Sequence, residues 1–159
     1  MSFQHYIGID PGTAAGVAVI NRGGTVAWLR RIPQEEQDIW DLIEALPVGG
    51  AIVGLEQVSA RPARDAYGRT VQGIKSTWTF AQNYGFLRAC LVAAELKFVD
   101  INPKTWQGGM GLKAPKKESY QQRKKRLKEA AETLFPDFNI TMKNCDALLI
   151  AEFLRRGGS

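Results

Sequence analysis

Histidine and cysteine are scarce in this sequence of 159 residues. A lone His5 disfavours mechanisms built on a histidine base or on a cluster of histidine ligands. The two cysteines, Cys90 and Cys145, sit inside apolar runs without ligand-like spacing, so neither a disulfide framework nor a zinc site is indicated. A reducing compartment fits that usage. Long apolar runs are missing too: none approaches the roughly 20 residues of a membrane span. The N-terminus MSFQHYIGID has no charged n-region, apolar h-region or small-residue cleavage site. The chain is expected to be soluble, unprocessed and cytoplasmic, with no membrane partner. Apolar residues at 45% and charged residues at 23% exclude a disordered or fibrous chain. The length suits a single domain over residues 1–159. Carboxylates, hydroxyls and lysines remain to carry chemistry.

The formal charge of +5 conceals a division along the chain. Residues 1–60 carry a net −4, residues 61–128 a net +11 and residues 129–159 a net −2. From Lys104 to Lys128 nine basic residues face the single Glu118, among them Lys113, Lys116, Lys117 and the run Arg123, Lys124, Lys125, Arg126. A polyanion is the natural partner, because each neutralised phosphate releases a counter-ion. The competing reading is a solvated helix face. No single helix face can bury the run of four, so some of its members are expected to contact phosphates or stand in water.

Residues 4–10, 15–20 and 24–32 read as short strands joined by tight turns, an antiparallel meander. Gln34 to Leu46 has Ile39, Leu42, Ile43 and Leu46 at helical spacing, with acids in its first turn. The unbroken apolar run GAIVGL at 50–55 reads as a buried parallel strand ending on Glu56. A polar stretch from Ser59 to Arg69 precedes a long helix over 71–95. Ile74, Trp78, Ala81, Tyr84, Leu87, Leu91 and Ala94 form its core stripe, and Phe80 and Cys90 lie on a second face. Residues 97–101 form a further strand. Asn102 and Pro103 then start a short helix holding Trp106, followed by a mobile loop at Gly108, Gly109 and Gly111. A basic helix spans 117–134, and Asn144 is expected to cap a last helix from Cys145 to Arg156. The succession suits an α/β fold with three antiparallel strands followed by parallel crossovers.

Three acids stand out in that arrangement. Asp10 ends the first strand in IGIDPGT, Glu56 ends the fourth in IVGLEQV, and Asp146 lies in the first turn of the last helix in NCDALLIAEF. Singly they read as a turn cap, a strand-edge acid and a helix-dipole partner. Together, without His or Cys, they suit a hard cation such as magnesium, which prefers oxygen ligands.

In order and spacing, IGIDPGTAAGVAVI, GLEQV and CDALLIAEF resemble the acidic motifs of the RuvC family of Holliday junction resolvases, over almost the whole chain. IDPGT by itself is also similar to strand-turn sequences of sugar kinases, actins and chaperone ATPases, but those need two such domains and this length leaves no room. The resemblance implies a ribonuclease H-like fold, with a five-stranded mixed sheet flanked by helices. It implies a structure-selective endonuclease that resolves four-way DNA junctions by paired phosphodiester hydrolysis, in the cytoplasm of a bacterial or phage-infected cell. Asp10, Glu56 and Asp146 would be ligands of two Mg2+ ions about 4 Å apart, replaceable by Mn2+. Lys104 and one of Lys113, Lys116 or Lys117, with Lys117 foremost, would stand near the cut phosphate. Lys113, Lys116 and the run Arg123, Lys124, Lys125, Arg126 are expected to bind DNA. A homodimer through the helix 71–95 would match the twofold substrate. Two departures are visible: Ser59 stands where bacterial members often have a junction-opening aromatic, and Lys143 where they often have an acid or histidine. Lys143, one turn before Asp146, is a candidate for contact with the phosphate or the edge of the metal cluster. Two other functions share these features: ribonuclease H-type cleavage of a hybrid, and junction binding without catalysis.

Overall fold

The computed structural model describes residues 3–12, 16–58 and 73–158. Residues 59–72, including Ser59 and the start of the long helix, lie outside the described residues, as does Thr13 of the first turn. Five strands form one sheet in the order β3-β2-β1-β4-β5. They are β1 (His5–Ile9), β2 (Gly16–Asn21), β3 (Val26–Arg31), β4 (Ala51–Glu56) and β5 (Phe98–Ile101). The first three pair antiparallel, whereas β4 joins β1 and β5 joins β4 in parallel after helical crossovers. This is the mixed sheet expected from the sequence.

Alternation along the strands divides the core in two. Ile7, Ile9, Val17, Val19, Val53 and Leu55 pack with α1 (Glu36–Glu44) and α2 (Ile74–Ala93) on one face. On the other face Ala18, Ile20 and Ile101 pack with α3 (Pro103–Gly109), α4 (Tyr120–Leu134) and α5 (Cys145–Arg155). Every residue from Cys145 to Leu154 is buried, so α5 is the central helix of that layer. Its close seat depends on Gly8 and Gly54, which face each other across β1 and β4. A Cβ on Gly8 would lie 1.9 Å from the Ala147 carbonyl oxygen, and one on Gly54 would lie 2.9 Å from Ile150. Only hydrogens there let the helix descend onto the sheet.

Four local expectations are corrected. The core stripe of α2 begins late: Leu87, Cys90 and Leu91 are buried, but Trp78 is 66% exposed and Ala81 is also exposed. Cys90 therefore belongs to the core face rather than to a second one. Gly108 and Gly109 are helical and close α3; a Cβ on Gly109 would meet Phe153 at 2.4 Å, so glycine there permits packing. The basic helix starts at Tyr120, not at 117, because Lys117 has φ of 65° and Ser119 with Gln122 forms a capping box. Asn144 makes no side-chain cap; its Oδ1 instead accepts from the Thr141 backbone N–H at 2.7 Å, which shapes the loop before α5.

Candidate active site

The parallel register pairs Ile9 with Leu55, so the next residues on the two strands, Asp10 and Glu56, emerge side by side. Period two places both on the face of Gly8 and Gly54, the face that α5 covers. The glycine seat brings the first turn of α5 down to the same strand ends, with Asp146 in it. Asp10, Glu56 and Asp146 thus open into one cleft of about 420 Å³. Val58 and Phe80 line one part of it; Tyr120, Gln121, Arg123 and Lys124 of α4, together with Met142 and Lys143, line the rest.

Each acid has a fixed oxygen. Asp10 Oδ1 accepts from the Gly12 backbone N–H at 3.2 Å, Glu56 Oε2 from the indole N–H of Trp106 at 2.9 Å, and Asp146 Oδ1 from the Cys145 thiol at 3.2 Å. The other oxygens of Asp10 and Asp146 turn to one cation. Lys124 Nζ donates to Asp146 Oδ2 at 2.7 Å and stands 3.6 Å from Asp10 Oδ2.

The electrostatics follow from burial and crowding. Desolvation, then the charge of Asp146, holds the Asp10 carboxyl above the usual carboxylate range, with Lys124 pulling the other way. Burial and then the Asp10 and Asp146 charges push Glu56 from 4.5 to about 7, against the Trp106 hydrogen bond and Lys124. Burial works against the Lys124 charge, yet Asp146 and Asp10 together hold its ammonium above the ordinary lysine value. Burial, then Asp146, pushes the Cys145 thiol up, which keeps it a hydrogen donor. Full ionisation of the three acids is therefore opposed by their burial and by one another, with Lys124 as the cation held between two of them.

Among the described residues no three His, Cys, Asp or Glu side chains stand together as a ready metal cage. The donor set nonetheless suits a hard divalent cation: it is all oxygen, its ionisation is opposed by burial and mutual repulsion that a cation would relieve, and an ammonium already stands between two of its acids. Asp10, Glu56 and Asp146 are the side chains that could hold one.

The basic residues separate into different roles. Lys124 is buried among the acids instead of facing solvent, so its place differs from that of a surface DNA contact. Arg123 and Lys143 line the cleft, Arg123 with its guanidinium 5.4 Å from the centre of the Tyr120 ring. Arg126 is tied down, with two bonds to Glu118 at 2.7 and 2.8 Å and one to the Leu112 carbonyl at 2.7 Å. Lys125 is exposed, 3.9 Å from Glu129. Lys104, Lys113, Lys116 and Lys117 are exposed and form none of the cleft wall. Trp106 and Cys145, which orient two of the acids, were missed as site residues. The signal for Trp106 was a large aromatic with one polar atom in a helix packed beside the strand that carries Glu56.

No protein-family model and no curated protein matches this sequence. Solved structures do match. The structure of RuvC from Thermus thermophilus aligns over 96% of this chain and 96% of that one, with a TM-score of 0.57 and 18% identity. The same organism's RuvC in complex with Holliday junction substrate aligns over 95% of both chains, with a TM-score of 0.57 and 14% identity. The likeness spans sheet and helices alike, and the architecture of this chain is the ribonuclease H-like α/β fold of RuvC.

Proposed function

We propose that the protein is a RuvC-family, divalent-metal-dependent endonuclease that cuts four-way DNA junctions. The observation that carries this reading is the convergence of Asp10, Glu56 and Asp146 in one cleft, flanked by Arg123 and Lys143, on the RuvC architecture. The match to RuvC in complex with Holliday junction substrate supports junction DNA as the ligand.

In this reading Asp10, Glu56 and Asp146 hold Mg2+, with two ions as the full complement and Mn2+ as a substitute. Ions held there would supply a water nucleophile at neutral pH and would neutralise charge on the leaving oxygen. The protein's own groups bind and orient. Trp106 and Cys145 hold one oxygen each of Glu56 and Asp146, so both acids present their second oxygen in a set direction. Arg123 and Lys143, on the cleft wall, take the DNA backbone beside the acids. A junction is much larger than this cleft, and the exposed Lys104, Lys113, Lys116, Lys117 and Lys125 serve its arms as sequence-independent phosphate contacts. A twofold dimer suits a substrate with two symmetric strands, and the exposed Trp78 and Val92 on α2 offer the apolar surface for it.

A second reading, junction binding without cleavage, is favoured by one observation: Lys124 already neutralises part of the charge a metal would answer. The test is incubation with a synthetic four-way junction, an RNA–DNA hybrid and a plain duplex, each with Mg2+ and with EDTA. Symmetric cuts in the junction alone, lost in Asp10→Asn and Asp146→Asn while gel-shift binding persists, are expected. Binding without cuts supports the second reading, and cutting of the hybrid alone overturns both.

A further inference from the structure

We infer that Lys124 is the resident counter-ion of the carboxylate cluster, and that a divalent ion gains its place there by displacing this ammonium. The inference rests on the metal-site reading above. Lys124 shares the buried stripe of α4 with Leu127 and Ala131, so the helix aims it inward although its sequence neighbours Arg123, Lys125 and Arg126 do not share its burial. Its side chain is 9% exposed. A buried lysine needs anionic partners, and here it has two, at 2.7 and 3.6 Å.

The division of oxygens gives the cluster its meaning. Gly12 and Cys145 hold Oδ1 of Asp10 and Oδ1 of Asp146 with neutral donors. Both Oδ2 atoms converge on the charged Nζ of Lys124. That point is where a cation bridging the two acids has to sit. An ammonium and a dication cannot share it, because their mutual repulsion at such range would cancel what either gains from the acids. Lys124 also has somewhere to go: it lines the open cleft, and its four-carbon stem can carry the ammonium outward while α4 stays in place.

Two consequences follow. The metal-free protein keeps its acids assembled without an ion, since removing the charge would leave Asp10 and Asp146 facing each other. Ion affinity is set by a competition, so it is weaker than the three carboxylates alone would provide.

The experiment uses full-length protein labelled with 15N-lysine. A buried, paired ammonium exchanges its protons slowly enough to give a resolved signal, assigned to Lys124 by through-bond correlation and by its absence in Lys124→Met. In EDTA that signal is expected to be present. Titration with Mg2+ should remove or shift it in step with ion binding measured by calorimetry. Lys124→Met should bind Mn2+ more tightly by on the order of tenfold, a size usual for coupled sites, and should gain more thermal stability from the ion than the wild type. A Lys124 signal unchanged at saturating Mg2+, or a Lys124→Met protein that binds Mn2+ no tighter, overturns the inference. If Lys124→Met does not fold, the wild-type titration decides alone. Absence of any divalent binding in wild type and variant overturns the metal-site reading with it, whereas an ion that binds while Lys124 stays in place overturns this inference only.

Discussion

Glu56 makes the sharpest prediction because its environment is unfavourable to the very charge that its proposed role requires. Burial and the neighbouring Asp10 and Asp146 raise it from 4.5 to about 7 in the folded, metal-free protein. Below pH 4.5 the acid is neutral in both folded and unfolded chains and costs nothing. As pH climbs through that value the unfolded chain releases its proton while the folded one retains it, so stability falls until the folded value near 7 is passed. The rise from 4.5 to about 7 corresponds to roughly 3.5 kcal/mol of lost stability above neutral pH. Glu56→Gln removes the charge and retains an oxygen able to accept from Trp106 Nε1. Since the amide must be desolvated as well, about 2 kcal/mol of the loss should be recovered, which for a chain of this size raises the melting temperature by roughly 4–8 °C. Thermal and urea unfolding in EDTA at pH 4, 6 and 8 is the assay. Wild type should be slightly the more stable at pH 4, where only the cost of the amide separates the two, and the order should reverse as pH rises, while Mg2+ narrows the gap at pH 8 by stabilising the wild type more than the variant. A variant less stable than wild type at pH 8, or a difference independent of pH, would refute the argument that burial, reinforced by the neighbouring acids, opposes the charge of Glu56.

Replacing Arg123 or Lys125 by Ala should each flatten the salt dependence of junction affinity by about one unit, as expected for one lost phosphate contact. Arg126→Ala should leave that slope alone and lower the melting temperature instead, because its donors are committed to Glu118 and Leu112; equal slopes for all three variants would count against this division. Gly8→Ala should cost more than about 4 kcal/mol, since its Cβ would sit within 2.6 Å of backbone atoms of both Ala147 and Ala151. Gly85→Ala, in α2 with nothing within 4 Å of the new methyl, should stabilise by about 0.5–1 kcal/mol, and thermal melts of the two variants check both signs.

Those glycines also show what a sequence can disclose. The positions of Asp10 and Glu56 were legible because a strand has period two and a parallel register admits few alternatives once the first crossover is recognised. Their neighbourhood is a backbone property, written in IGID and VGLE. The seat of α5 was less legible, since nothing about Gly8 or Gly54 taken singly says that a helix lies on them. Only their pairing across β1 and β4 does. The stripe of α2 misled for a reason of dimensions. A helix of 20 residues runs about 30 Å, while the six residues of β4 run about 20 Å. One end of the helix must overhang the sheet, and apolar spacing continues into the overhang through the exposed Trp78 and Ala81, which meet no core among the described residues. Lys124 was hidden for the opposite reason. Read as charge density, it is one of four consecutive cations and belongs to a DNA-binding surface. Read by helical period, it falls in line with Leu127 and Ala131, and a lysine on a core stripe requires an acid opposite it. Three acids on that side of the sheet, Asp10, Glu56 and Asp146, were already assembled by the strand and helix ends. Placing the lysine among them needs the tertiary packing of α4 against α5, which no local pattern encodes, so the role of the side chain follows from the fold and not from the basic run in which it is written.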